Sequence, residues 1–147
     1  MKVIGVSAKV SNDRDDLLEE AWELFFKSDV LEYVEGENLS EDIISVYYEY
    51  EGDQDDPYTL LIGYEVEEDF ETPNGLNSIV INLNHETYRI EKNLPDAIFD
   101  KWEDIWDDTS RERAYIVDFD RYNPKEDVAE VNVEYKSLTL PTLKVFA

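Results

Sequence analysis

Two short runs place carboxylates beside aromatic rings, Tyr47-Tyr48-Glu49-Tyr50 and Asp118-Phe119-Asp120-Arg121-Tyr122. Aromatic faces with an adjacent anion suit a cationic or flat amphipathic ligand, held by cation–π attraction and charge pairing in a partly dry cleft. The same residue types also serve as sheet core and sheet surface. In an extended run from Ala114 to Tyr122, period-two alternation sends Tyr115, Val117 and Phe119 to one face and Ile116, Asp118 and Asp120 to the other. If the acidic face lines a cleft, at least one carboxylate is desolvated, and its pKa rises unless a cation pairs with it.

Other chemistries are poorly supplied. His85 is the only histidine and no Gly-x-Ser-x-Gly elbow is present, which disfavours a serine hydrolase and excludes multi-histidine metal sites. His85 reads as a polar residue in a strand-connecting turn. Asp53, Asp55 and Asp56 lack the spaced ligands and distal Glu of an EF-hand and read as a solvated loop. The five glycines form neither Gly-x-Gly-x-x-Gly nor a Gly-Lys-Ser/Thr loop, so nucleotide cofactors drop out. With no cysteine there is no disulfide, thiol nucleophile or Cys-ligated metal. No cofactor, metal site or catalytic residue is assigned.

The chain has 147 residues, 42% of them hydrophobic, enough for one domain with a real core. Its 13 Lys and Arg face 37 Asp and Glu, a net charge of −24 that repels nucleic-acid backbones and anionic membranes. Met1 to Pro73 holds 22 of those acids and 4 of the bases. No signal peptide and no apolar run of membrane-spanning length is apparent. A cytoplasmic protein without direct nucleic-acid or membrane binding is expected, with a small-molecule ligand, a further protein partner left open and its oligomeric state unassigned.

The elements that must position these residues follow from periodicity. Val3, Ile4, Val6 and Ala8 make a strand, ended by Ser11-Asn12-Asp13, with Asn12 as the expected cap of the next helix. Leu17, Leu18, Ala21, Trp22, Leu24 and Phe25 recur at helical spacing, giving a helix from Asp13 to about Ser28. Ile43 to Glu51 and Tyr58 to Val66 form a hairpin around turn formers. Asn77 to Leu83 and Thr87 to Ile90 are extended. Pro95 starts a second helix with Ile98, Phe99, Trp102, Ile105 and Trp106 on one face. Ala114 to Tyr122 and Val128 to Tyr135 make a last strand pair.

The order is strand, helix, strand, strand, twice. Trp22-Glu23-Leu24-Phe25-Phe26 and Trp102-Glu103-Asp104-Ile105-Trp106 share the pattern Trp-Glu-x-apolar-aromatic, which supports a duplication. The expected fold is α+β: a duplicated βαββ with pseudo-repeats at about 2–70 and 76–136, forming one antiparallel sheet, two helices and a central groove. The tail 137–147 has no assignment.

The sequence resembles the GyrI-like small-molecule-binding family, the effector-binding domain of AraC-type and MerR-type regulators. The carriers are Asn12, Leu18, Trp22 and Phe26; Val46 to Glu51 with Asp53; Tyr58; Gly63-Tyr64-Glu65-Val66; Pro73-Asn74-Gly75-Leu76; Tyr88; Trp102 through Trp106; and Asp118 through Tyr122. That resemblance implies two SH2-like motifs around a groove for drug-like, often cationic, ligands. It also implies a groove acid, usually Glu in Asp-Phe-Glu-x-Tyr, that pairs with the ligand's charge. Here the position is Asp120, one methylene shorter, which leaves room for a bridging water. Tyr47, Tyr64, Trp102, Trp106 and Tyr122 are the candidate walls, with Asp118 beside the anchor. No helix-turn-helix segment is seen.

The expected function is non-enzymatic binding of a small effector or drug-like molecule, linked to transcription regulation or to drug and toxin sequestration. Two alternatives stand beside it. One is a hydrolase of reactive small molecules with Asp120 as general base. The other is an acidic protein inhibitor of a DNA-binding enzyme such as gyrase.

Overall fold

The computed structural model describes residues 1–136; the segment 137–147 lies outside the described residues. Seven strands form one antiparallel sheet: β1 (Lys2–Val10), β2 (Ile43–Tyr48), β3 (Tyr58–Val66), β4 (Asn77–Val80), β5 (Glu86–Ile90), β6 (Val117–Asn123) and β7 (Val128–Val133). Three helices accompany them: α1 (Asp15–Lys27), α2 (Val30–Val34) and α3 (Asp96–Asp107). Strand order across the sheet is β4-β1-β3-β2-β6-β7-β5. With β4 set aside, β1-β3-β2 is mirrored by β5-β7-β6 about the central β2·β6 pairing, the arrangement of a duplicated βαββ unit.

Four details differ from the sequence expectation. β4 hydrogen-bonds to β1 and so extends the edge of the first unit, while the second unit opens at β5. A third, five-residue helix, α2, occupies the acidic segment after α1, too short to show a helical period. β6 starts at Val117 rather than Ala114, because Tyr115 takes φ 52°, a left-handed conformation that ends strand alternation. Asn12 does not cap α1, which has no side-chain cap. Its amide instead donates to Gln54 O at 2.9 Å, and its Oδ1 accepts from the Tyr58 hydroxyl at 2.6 Å.

The helices share one face of the sheet. α1 buries Ala21 and Phe25 against Ile4, Val6, Leu60 and Ile62, while Leu24, off the stripe's axis, stays exposed. α3 buries Trp102 and Ile105 against Val131 and Val133. Tyr47 packs against both clusters, at the seam. β4 and β5 lie at opposite edges, so their link must cross a face, and it takes the one without helices. There Ile81 is buried with Val3, Ile44, Val46, Leu61 and Phe119. His85 rests edge-on against Phe119, with Nε2 2.6 Å from Val117 O.

β1 and β3 approach closely where Gly5 pairs with Gly63, and a Cβ on either would overlap the backbone carbonyl of Ile62 or Ile4. Overpacking at fixed backbone is costly. Gly63→Ala is expected to lower unfolding free energy by about 2 kcal/mol or more, read by urea denaturation; a loss below about 0.5 kcal/mol would contradict this tight pairing.

Candidate functional site

The β2·β6 register decides what meets at the centre. One cross-sheet row runs Val6, Ile62, Ser45, Asp120, Val131, Tyr88. The next contains Ala8, Leu60, Tyr47 and Asp118. Directly paired residues point to the same side, so both carboxylates rise onto the helix-bearing face between α1 and α3. Ser45, opposite Asp120, is small and leaves room for larger side chains to converge there.

Asp118 and Asp120 are fully buried and 5% exposed, respectively, yet they are treated differently. Asp118 Oδ2 accepts from Arg113 Nη2 at 2.8 Å and from the Tyr50 hydroxyl at 2.6 Å, and its Oδ1 accepts from Glu134 N at 2.8 Å. Asp120 has no ion-pair partner among the described residues. The Tyr47 hydroxyl donates to its Oδ2, and Trp102 Nε1 donates to Oδ1 at 3.0 Å and Oδ2 at 3.2 Å. Burial pushes its carboxyl up to about 7, partly offset by those two donors and reinforced by the charge of Asp118. The same burial, with Asp120 next to it, drives the Tyr47 phenol well above its ordinary value.

Above Asp120 lies a cavity of about 180 Å³. Phe99, Trp102 and Trp106 enter it at i, i+3 and i+7 of α3, and Leu18 and Trp22 at i and i+4 of α1. Tyr47, Tyr58 and Leu60 form the sheet side, with Tyr50, Asn12, Gln54 and Arg113 at the polar end. The rings are interlocked: Tyr47 meets Trp102 edge-on at 5.5 Å and Tyr58 at 5.8 Å, and Phe99 meets Trp106 at 6.0 Å. All three tryptophans of the chain line this space.

Of the residues singled out from sequence, the fold brings Tyr47, Trp102 and Trp106 to the cavity wall. Asp120 lies behind Tyr47 and Trp102, and Asp118 beside it. Two go elsewhere. Tyr64 is buried under α1 with its ring 5.8 Å from Phe25. Tyr122, at the far end of β6, donates to Asp127 Oδ1 at 3.0 Å. Sequence reasoning missed Trp22, although the internal repeat pairs it with Trp102, and missed Tyr58, which period two in β3 places beside Leu60. Arg113 carried no signal, being one more charge in a charged turn.

Residues 1–137 match the Cass2 family model, integron-associated effector binding protein. The chain belongs to this Cass2 family. No curated protein matches it. Among solved structures it is similar to the integron cassette protein VCH_CASS2 from the mobile metagenome of Vibrio cholerae, at TM-score 0.72 and 17% identity, over 92% of this chain and 90% of that one. It is also similar to a putative bacterial transcription regulation protein from Staphylococcus aureus MU50, at TM-score 0.61 and 12% identity, over 93% of both chains. At such identities these two likenesses speak for the fold, which is the GyrI-like one. Among the described residues no helix is long and apolar enough to cross a membrane.

A carboxyl raised on folding favours the protonated native state, so its stabilising share is complete below the unfolded value near 4 and is lost as pH rises through about 7. Asp120→Asn, which keeps the neutral form, should therefore gain stability over wild type as pH goes from 4 to 8. Each tenfold change in proton affinity is worth about 1.4 kcal/mol, so the gain reaches a few kcal/mol, read by thermal or chemical unfolding across that range. A pH-independent difference would contradict the assignment.

Proposed function

We propose that this Cass2 protein is a non-enzymatic binder of small effector molecules, and that its cavity takes a flat, aromatic or amphipathic monocation. The observation that carries this is the buried Asp120 carboxylate, surrounded by neutral donors and aromatic rings and lacking a cation partner among the described residues. A ligand's positive charge would supply the missing partner, and the faces of Trp22, Trp102 and Trp106 would add cation–π and apolar contact. Because Asp120 sits behind Tyr47 and Trp102, it acts through the field at the cavity floor or through a water, with Tyr47 and Trp102 as the direct contacts.

Asp118 is already neutralised by Arg113, so Asp120 alone is the anionic anchor in this reading, and Tyr64 and Tyr122 have no part in it. A hydrolytic role for Asp120 is less well supported, since both of its oxygens already accept hydrogen bonds from wall residues. The family description and the likeness to a transcription-regulation protein support an effector-sensing or sequestering role.

The cavity's tryptophans make the test label-free. Titration with a lipophilic aromatic monocation should give saturable quenching, and a neutral compound of the same shape should bind more weakly. Asp120→Asn should weaken the cation by about tenfold or more, roughly 1.4 kcal/mol, and leave the neutral compound nearly unchanged. Equal loss for both compounds, or no loss for the cation, would overturn the anchor role.

A further inference from the structure

Arg113 is the one cation lining the cavity among the described residues, and its side chain is 7% exposed. Its guanidinium carbon lies 4.3 Å from the ring centroid of Tyr115, 5.3 Å from that of Trp102 and 6.0 Å from that of Tyr50. Nη2 pairs with Asp118, while buried Nε finds no acceptor. A purely structural ion pair satisfies its donors, since an unmet buried donor is costly. Aromatic faces around a cation with a carboxylate at its end are what this cleft would offer to an external cation.

The backbone fixes Arg113 on both sides. Ala114 N donates to Glu134 O at 3.0 Å, and Arg113 forms an isolated antiparallel bridge with Tyr135, just beyond the end of β7. Tyr115 is held at φ 52°, a conformation unfavourable for a bulky residue, with its ring over the guanidinium and its hydroxyl donating to Gln54 Oε1 at 2.7 Å.

We propose that Arg113 is a built-in counter-ion that occupies the Asp118 half of the aromatic cleft, so that the groove accepts one positive charge, at Asp120, and gains little from a second charge on the ligand. This rests on the cation-binding reading above and names the ligand class within it. Asp118 and Asp120 stand two residues apart on one face of β6, about 7 Å along the strand. Without Arg113 they form a two-carboxylate site matched to a dication. With it, the second carboxylate is already taken.

The test uses two permanently charged probes, benzyltrimethylammonium and p-xylylene-bis(trimethylammonium), titrated against the full chain by tryptophan fluorescence or calorimetry. Wild type should bind the dication no more than about threefold more tightly than the monocation. Arg113→Ala should raise the preference for the dication at least tenfold, and Arg113→Lys, which keeps the charge on Asp118, should retain the wild-type ratio. A tenfold dication preference in wild type, or an unchanged ratio in a folded Arg113→Ala, overturns the proposal. If Arg113→Ala fails to fold by near-ultraviolet circular dichroism, the wild-type and Arg113→Lys ratios decide. Failure of wild type to bind either probe would remove the cation-binding reading itself, together with this inference.

Discussion

A carboxylate set into a row of Val6, Ile62, Ser45, Val131 and Tyr88 is the constraint around which the centre of this molecule is organised. Ionised and unpaired in such a place, Asp120 costs several kcal/mol. Two neutral donors from different elements reduce that cost, the Tyr47 hydroxyl from β2 and the Trp102 indole from α3. Each bond fixes a ring, and the rings fix the cavity. The two βαββ halves therefore meet at a site whose walls are set by the acid beneath them, and whose electrostatics stay incomplete until that acid is protonated or faces a cation.

Asp118 shows the other solution to the same problem two residues away. It recruits a buried guanidinium, a phenol and a backbone amide, so its charge is balanced internally. One acid is closed and its neighbour open, although both share a strand and a face. The difference lies in what the connection from α3 to β6 delivers: Arg113, with a left-handed Tyr115 behind it, reaches Asp118 and goes no further. The outcome is a buried carboxylate with no ion-pair partner among the described residues, in a protein that carries a large excess of acids, and desolvation distinguishes it from those at the surface.

Much of this was legible in the sequence, for physical reasons that can be named. The Trp-Glu-x-apolar-aromatic repeat and the helical stripes of α1 and α3 exposed the duplication, because amphipathic helices on a sheet must show a period near 3.6. Alternation placed Asp118 and Asp120 together, because strand faces follow a period of two. Tyr64 and Tyr122 also followed local pattern but ended outside the cavity, since distance along a strand from the β2·β6 seam is a tertiary property. Asn12 found better partners in Gln54 and Tyr58 than in the first turn of α1. Arg113 was invisible because its role depends on a backbone bend at Tyr115 that no local pattern encodes.

The central claim is that Asp120 is a desolvated acid awaiting a cation. Carbon-detected NMR of the aspartate side-chain carboxyls, followed from pH 4 to 9 with Asp120→Asn for assignment, measures it directly. The account predicts a midpoint near 7 for Asp120 in the free protein and a clear fall when an aromatic monocation is bound. A midpoint in the ordinary carboxylate range near 4, unmoved by the cation, would contradict it.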